Sequence, residues 1–498
     1  METLTKEEEM PNLLISAGPG CGKTHTLVDS YLYYQTPTPL MWRQRFPCTD
    51  EQFAIYEWIR KTMPKGIKTV PYIAYNNTIV KELEKKIHED CEVHTHHGWG
   101  YSVIRKKFGH VPMNPKRSEI LVAKITGQDM SQLKNKFEWL TTIKFIEKLK
   151  DELLEVKMEN FYLLQSKYSD LAPFRIHQNI CQQASQLITA MKQVDRSIGI
   201  EFIDQIWLAL FILDKPWFEF GFVDECQDQS PARLLLAQKL CKHLICAGDE
   251  NQAINAWTGA DPYAIDKIRA SSDLELPLKL SFRLPPNRVE RANQIKPLAN
   301  LKGQSTTPGI EASVDGENLQ EWIKDTVQYN PLIVCRYNAP LVRLGIHCIK
   351  LNIPAKVLGS SLYDALVRTL ENRQARDIPD ALHKLDLFEK RCLEVGDDMA
   401  KEGTIDKINA CRFILGRCTV LSDFKVIAKR LTNPPKSETK ITGLTVHRAK
   451  GLEANVVGVL NPPIASSKAK TSTQKLQEEN CMFVGETRTR RDHYYLSF

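Results

Sequence analysis

The sequence predicts an α/β protein built on parallel sheets, and three observations carry that prediction. Short apolar runs such as "NLLISA" (12–17), "FGFVDE" (220–225) and "HLICAGD" (243–249) alternate with longer stretches of helical spacing. The first run feeds a glycine-rich turn and then, at once, a helical pattern. Acidic and amide side chains stand just beyond the ends of the other two, where open α/β sheets collect their chemistry.

The remaining strand candidates are "YIAY" (72–75), "LKLSFR" (278–283), "PLIVCR" (331–336), "TGLTVH" (442–447), "NVVGVL" (455–460) and "YYLSF" (494–498). Two stretches break the alternation. A lysine-rich segment over 113–199, including "KNKFEWLTTIKFIEKLKDELLEVKMENFYLLQ", carries apolar residues at helical spacing. A second helical stretch spans 359–435 and closes on the breaker "TNPPKSE". Both read as helical insertions into α/β domains.

With 498 residues the chain is long enough for about three domains. The longest apolar run, "IWLALFIL" (206–213), suits a buried helix or strand and falls short of the roughly 20 residues of a membrane span. The opening "METLTKEEEM" has no apolar stretch behind basic residues, so it does not predict export. Thirteen cysteines without a C-x-x-C pair fit reduced thiols, and the expected location is a bacterial or phage-infected host cytoplasm. A net charge of +7 permits a polyanionic partner without demanding one.

The stretch "ISAGPGCGKTHTL" (15–27) is a phosphate-binding loop with Ala17 in place of its first glycine. Glycines 18, 20 and 22 let backbone N–H groups approach phosphate oxygens, and the helix start adds partial positive charge. Lys23 would neutralise terminal phosphates and the Thr24 hydroxyl would ligate Mg²⁺. In "FGFVDECQDQSP", Asp224 would hold the metal and Glu225 would polarise the attacking water. Asp249 and Gln252, after a further strand, could sense a γ-phosphate.

At this point the chain resembles the UvrD/Rep family of superfamily 1A helicases. "AGPGCGKT" is similar to the family's "AGAGSGKT", "VDECQDQSP" to "VDEFQDTN", and "AGDENQAINAWTGAD" to "VGDDDQSIYGWRGA". Downstream, "LSFRLPPNRVERAN", "PLIVCRYNA", "GLTVHRAKGLEANVVGV" and "EENCMFVGETRTRRDHYYLS" resemble later family motifs in the same order. The resemblance implies two RecA-like domains, 1–112 with 200–280 and 281–358 with 436–498, each carrying one helical insertion. It implies ATP and Mg²⁺ between them, with Arg283 and Arg488 as arginine fingers from the second. Glu453 resembles the ribose-contacting acid, Phe282 replaces the tyrosine that stacks on adenine, and His25 replaces the arginine opposite it.

For single-stranded DNA the resemblance implies Tyr75, His97 and Trp257 as aromatic contacts and Arg336 and His447 as strand-facing residues. Asn255 and Thr258 stand where the family has tyrosine and arginine, and the family's upstream "LNxxQ" has no counterpart before the loop. A similar "CTDEQ" (48–52) follows the loop, without an adenine-reading role being assigned to Gln52. "CEVHTHHGWG" (91–100) has one Cys and three His but no second ligand group at metal spacing.

The resemblance implies an ATP-dependent helicase that moves 3′→5′ on single-stranded DNA and unwinds duplex in replication, repair or recombination. The alternative is a DNA-stimulated ATPase or translocase that unwinds only with a protein partner, such as a nuclease in a phage defence complex. A P-loop ATPase that ignores nucleic acid is the third reading.

Overall fold

The computed structural model describes residues 12–36, 42–67, 69–87, 90–168, 171, 179–256, 259–357, 360–394, 398–433, 439–462, 464–466 and 468–498. Trp257 and Thr258 lie outside the described residues. The chain divides into two compact units, Met1–Leu278 and Lys279–Phe498.

The first unit holds β1 (Leu13–Ala17), β2 (Val70–Ala74), β3 (Cys91–Thr95), β4 (Phe218–Val223), β5 (Cys241–Gly248) and β6 (Leu274–Leu278). They form one sheet in the order β3-β2-β4-β5-β1-β6, with every pairing parallel. The second unit opens with the short pair β7 (Leu280–Ser281) and β8 (Lys302–Gly303). Its main sheet contains β9 (Glu311–Val314), β10 (Leu332–Cys335), β11 (Ala355–Val357), β12 (Ile441–Thr445), β13 (Ala454–Leu460) and β14 (Thr489–Leu496). Their order is β11-β12-β10-β13-β14-β9, again all parallel. Both are RecA-like parallel sheets dressed with helices.

The apolar runs read from sequence are mostly the interior strands, because a parallel strand covered on both faces must be apolar at nearly every position. "LKLSFR" is the exception: its Leu278 ends the main-sheet strand "LELPL", and past it only Leu280–Ser281 is strand, in the small pair. All four main-sheet strands absent from the sequence reading, β3, β6, β9 and β11, are sheet edges. β6 alternates partly exposed with exposed positions and contains Pro277, which an edge tolerates because its N–H is not needed by a second neighbour.

The first unit carries the helices Arg117–Thr126, Lys136–Glu152, Met158–Lys167 and Ile180–Met191 between β3 and β4. They pack around a core that includes Trp139, Phe145, Leu149 and Phe161 and takes in Trp207 and Leu208 of the helix Asp204–Ile212. "IWLALFIL" falls mainly in the helix Asp204–Ile212, whose residues from Asp204 to Leu210 are all buried. In the second unit the helices Ser360–Glu371, Ile378–Glu394, Asp398–Leu415 and Asp423–Thr432 share a core with the sheet: Ile408, Ile414 and Phe424 belong to the cluster that contains Ile333 and Val357. Among the described residues no helix is long and apolar enough to cross a membrane.

A buried ionic hub fixes the first insertion. Asp204 accepts from Arg117 and, at 2.6 Å, from Lys150, while Arg117 also donates to the carbonyls of Met191 and Gln193 at 2.8 Å each. All three charged side chains are fully buried or within 1% of it. Burial works against the Asp204 carboxylate, but Lys150 and Arg117 outweigh it and hold its pKa below the ordinary value. Its stabilising contribution is therefore present above the unfolded pKa of about 4 and is lost as pH falls through the lower folded value. Asp204→Ala strands two buried cations and is expected to cost about 3–5 kcal/mol, read as a downward shift of the first unit's urea transition. An unchanged transition would remove the hub from the account.

Candidate nucleotide site and nucleic-acid face

Strand order assembles the site. β4, β5 and β1 are consecutive neighbours, so the segments leaving their carboxyl ends converge: Asp224 and Glu225 after β4, Asp249 after β5 and the glycine-rich turn after β1. In that turn Gly20 and Gly22 adopt φ of 71° and 78°, the left-handed region that glycine enters without a Cβ clash. Gly22 is also the N-cap of the helix Lys23–Gln35 and offers no capping side chain. The first backbone N–H groups of that helix therefore meet no capping side chain, the arrangement that suits an anion at a helix start.

Lys23 is buried, and burial works against its charge. Glu225, Asp249 and Asp224 outweigh that penalty in this order and raise its pKa above the ordinary value. Thr24 Oγ1 donates to Asp224 Oδ2 at 2.6 Å, and the Tyr72 hydroxyl donates to the same oxygen at 3.0 Å. Burial first, and then the neighbouring Glu225, push Asp224 up to about 6, against the opposing pull of Thr24 and Lys23. Thr24 and Asp224 are adjacent hard-oxygen donors, which suits Mg²⁺ held by one carboxylate, a hydroxyl and substrate phosphates.

Glu225 sits at φ 50°, a left-handed conformation that is strained for a side-chain-bearing residue. Gln227 Nε2 donates to Glu225 Oε2, and Gln227 Oε1 accepts the Asp249 N–H at 3.0 Å. Gln252 Nε2 then donates to Asp249 Oδ2 at 2.6 Å. Gly248 is obligatory here: a Cβ on it would lie 2.5 Å from Cys226 Sγ and 2.8 Å from Gln227 Oε1. Lys23, Thr24, Asp224, Glu225 and Gln252 are therefore brought together, through a bridging Gln227 that the sequence reading did not name.

At the other end of the helix start, His25 Nε2 lies 3.1 Å from Asp29 Oδ2. The "CTDEQ" segment folds back onto this helix. Gln52 and Thr49 form a capping box, and Gln52 Nε2 donates to Thr26 Oγ1 at 3.1 Å.

Further along the same sheet edge, β2 and β3 deliver Tyr75 and His97. Asn255 Nδ2 donates to the Tyr75 hydroxyl at 3.3 Å and to Asp228 Oδ1 at 3.1 Å. The residue that replaces the family tyrosine thus ties Tyr75 to the segment following Gln252. His97 stacks on Phe202 with ring centroids 3.8 Å apart and planes 21° apart. Burial, reinforced by Arg233, lowers the His97 pKa to about 3, so the ring is neutral at physiological pH. Phe202 is 64% exposed and lies just before the helix Asp204–Ile212. A lone phenylalanine in "GIEFID" has no periodicity to announce it, which is why sequence reasoning missed it.

In the second unit the predicted residues separate onto two opposite edges of one sheet. Arg283 donates to Glu453 and, at 3.3 Å, to the carbonyl of Thr487; Arg490 donates to Glu453 as well. Burial tends to raise the Glu453 pKa, but Arg283 and Arg490 prevail and lower it. Arg488 is fully buried and donates to Val484 O at 2.8 Å, Leu452 O at 3.4 Å and Thr487 Oγ1 at 3.1 Å. Glu453 and Arg488 immediately precede β13 and β14, so this cluster marks the amino edge; Phe282 beside it is 45% exposed. Arg336 and His447 follow β10 and β12 on the carboxyl edge.

There Arg336 meets a protein carboxylate where the resemblance expects the strand. It makes a bidentate pair with Glu478, at 3.0 and 2.7 Å. His447 Nε2 is 3.7 Å from Cys481 Sγ, and burial, then Arg336 and Lys450, lower its pKa to about 3. Both partners lie on the helix Ser472–Glu486.

A glycine-rich turn whose Thr24 hydroxyl is bonded to the carboxylate after β4, on an all-parallel sheet, defines the class of P-loop NTPases. Residues 73–273 match the family model of the UvrD/REP helicase N-terminal domain. That match supports a UvrD/Rep-like superfamily 1 helicase, a family that implies DNA helicase activity driven by ATP with a divalent metal. The matched span begins after the glycine-rich turn and lies wholly within the first unit. No curated protein matches the chain.

Because its folded pKa lies above the unfolded value, Asp224 contributes a destabilising charge that is absent below about pH 4 and complete above about pH 6. Asp224→Asn is expected to stabilise the metal-free chain by on the order of 2–3 kcal/mol at pH 7.5. That gain should shrink as pH drops from 6 to 4 in parallel unfolding titrations; a gain independent of pH would contradict the assignment.

Proposed function

We propose that the protein is a motor that hydrolyses ATP to move 3′→5′ along single-stranded DNA and to open duplex ahead of it. The observation that carries the reading is the convergence of Lys23, Thr24, Asp224 and Glu225 in a chain with a UvrD/REP helicase domain. The direction of movement rests on the family resemblance.

In this reading Gly18, Gly20 and Gly22 cradle the phosphates with their backbone N–H groups, and Lys23 neutralises the terminal ones. Thr24 and Asp224 would hold Mg²⁺, which would supply charge neutralisation to the phosphates. Glu225, held by Gln227, orients and polarises the attacking water, and Gln252 reports the state of the γ-phosphate through Asp249. Arg283 and Arg488 supply positive charge to the transferring phosphoryl group, and Glu453 contacts the ribose. Phe282 and His25 face the base. The present partners of Arg283 and Arg488 mean that the finger role requires these guanidinium groups to exchange protein acceptors for phosphate oxygens.

Tyr75, His97, Phe202 and Trp257 form the base-contacting face in the first unit, each stacked base being worth about 1–3 kcal/mol without regard to sequence. Arg336 and His447 face the strand from the second unit. For Arg336 this means sharing its guanidinium between Glu478 and a phosphate.

Glu225→Gln keeps the size and the bond to Gln227 but removes the base; kcat should fall by about 10²–10⁴ while ATP and single-stranded DNA still bind. Hydrolysis at the wild-type rate would sink the water-activating role. Direction and autonomy are read by strand displacement on 3′- and 5′-tailed duplexes. Unwinding from the 3′ tail is expected, and a preference for the 5′ tail would reverse the assignment. DNA-stimulated ATPase without displacement would instead favour a translocase that unwinds with a partner.

A further inference from the structure

The second unit contains a cavity of about 380 Å³ that no step of the proposed ATP cycle uses. Small-molecule sites typically occupy ~300–1,000 Å³. Tyr337, Asn461 and Phe498 reach it from beyond the carboxyl ends of β10, β13 and β14, three adjacent parallel strands. That is where open α/β sheets bind their ligands. The insertion helix Asp398–Leu415 closes the opposite side with Asn409 and Phe413.

The acidic groups in the wall are engaged by the protein itself. Asp406 accepts from the backbone N–H groups of Asn338 and Ala339, at 2.9 and 2.7 Å, and from the Asn338 amide. Glu402 accepts from the Tyr337 hydroxyl at 2.8 Å and from Ser466, and lies 3.6 Å from Lys468 Nζ. Arg343 is the opposite case. Its guanidinium carbon lies 4.2 Å from the Phe498 ring centroid and 5.9 Å from that of Phe413, and among the described residues it meets no acceptor. Stacking occupies the faces of a guanidinium and leaves its in-plane N–H donors directed outward, a geometry suited to phosphate.

We propose that this cavity binds one nucleotide unit, its base against Tyr337 and Phe413 and its phosphate on Arg343, with Lys468 as the second cation. The same chemistry has two sources: a nucleotide of a bound strand, or a free mononucleotide. The inference goes beyond the motor reading, since none of the residues assigned to ATP hydrolysis lines the cavity.

The test uses the full chain and two variants at exposed wall positions, Arg343→Gln and Phe413→Leu. In the strand arm, a dT oligonucleotide carrying 5-iododeoxyuridine is photocrosslinked and the adducts mapped by mass spectrometry. In the free arm, dAMP is titrated calorimetrically. A crosslink in the peptide containing Tyr337 or Phe413, or dAMP binding weakened about tenfold by both variants, is the expected result. Crosslinking alone assigns the strand, and dAMP binding alone assigns a free nucleotide. Basal ATPase without DNA should stay at the wild-type level in both variants. If neither the crosslink nor dAMP binding responds to either substitution, the proposal is overturned. A chain that fails to bind the oligonucleotide anywhere would count against the motor reading, whereas the dAMP arm would still decide the cavity.

Discussion

Lys23 lies buried among Glu225, Asp249 and Asp224, and the rest of the first unit is arranged around that concentration of charge. One ammonium against three carboxylates leaves an excess of negative charge in a place shielded from water. The raised pKa values of Asp224 and Asp249 follow from it, since burial and, in both, a neighbouring carboxylate work against the ionised forms. In the proposed reading a divalent cation would relieve that excess, and a polyphosphate would then find Lys23, the helix start and the metal together. The electrostatics therefore favour binding of the two as a pair, which is the usual way Mg²⁺ reaches a phosphoryl-transfer site.

The carboxylates belong to the same short segments that face the proposed strand path. Residues 225–228 contain Glu225 beside Lys23, Gln227 bonded to it and to the Asp249 backbone, and Asp228 bonded to Asn255, which reaches Tyr75. Under the proposed roles, a rearrangement at the γ-phosphate that shifts Gln252 or Glu225 would act on this segment within one turn of chain. Gly248, which cannot accept a Cβ beside Cys226 and Gln227, keeps the two strand ends close enough for those bonds. What couples the two ends is geometry at hydrogen-bond distance, which a mutational cycle across Gln227 and Asn255 can measure.

Sequence was most informative where burial was complete. The interior strands and the glycine-rich turn were legible because a strand packed on both faces leaves no room for polar positions. Edge strands β3, β6, β9 and β11 were not, because each carries partly or fully exposed positions that break the apolar run. Site residues at strand ends were visible as chemistry placed after a run, as with Asp224, Glu225 and Asp249. Partners supplied from afar in sequence, such as Tyr72 for Asp224, Glu478 for Arg336 and Phe202 for His97, carry no local signal; they follow only from strand order and helix packing.

The two insertions differ in how they are joined to their sheets, and the difference constrains what each can transmit. The first packs on a core that also takes in Ile104, Trp207 and Leu208 of the flanking helices, and adds directional bonds: Asp204 to Arg117 and Lys150, and Asp151 to Ser230 beside the segment after β4. Gly259 approaches Asp151 so closely that a Cβ there would lie 2.2 Å from Oδ2. The insertion therefore comes within contact distance of the chain at Gly259. The second insertion shares a continuous apolar core with its sheet, so it cannot turn without disturbing Ile333 and Val357. A body joined through its flanking helices and a few buried polar bonds, apart from the sheet's own core, can pass on a displacement of those helices as a small rigid shift. A body fused into the core can only move with its sheet.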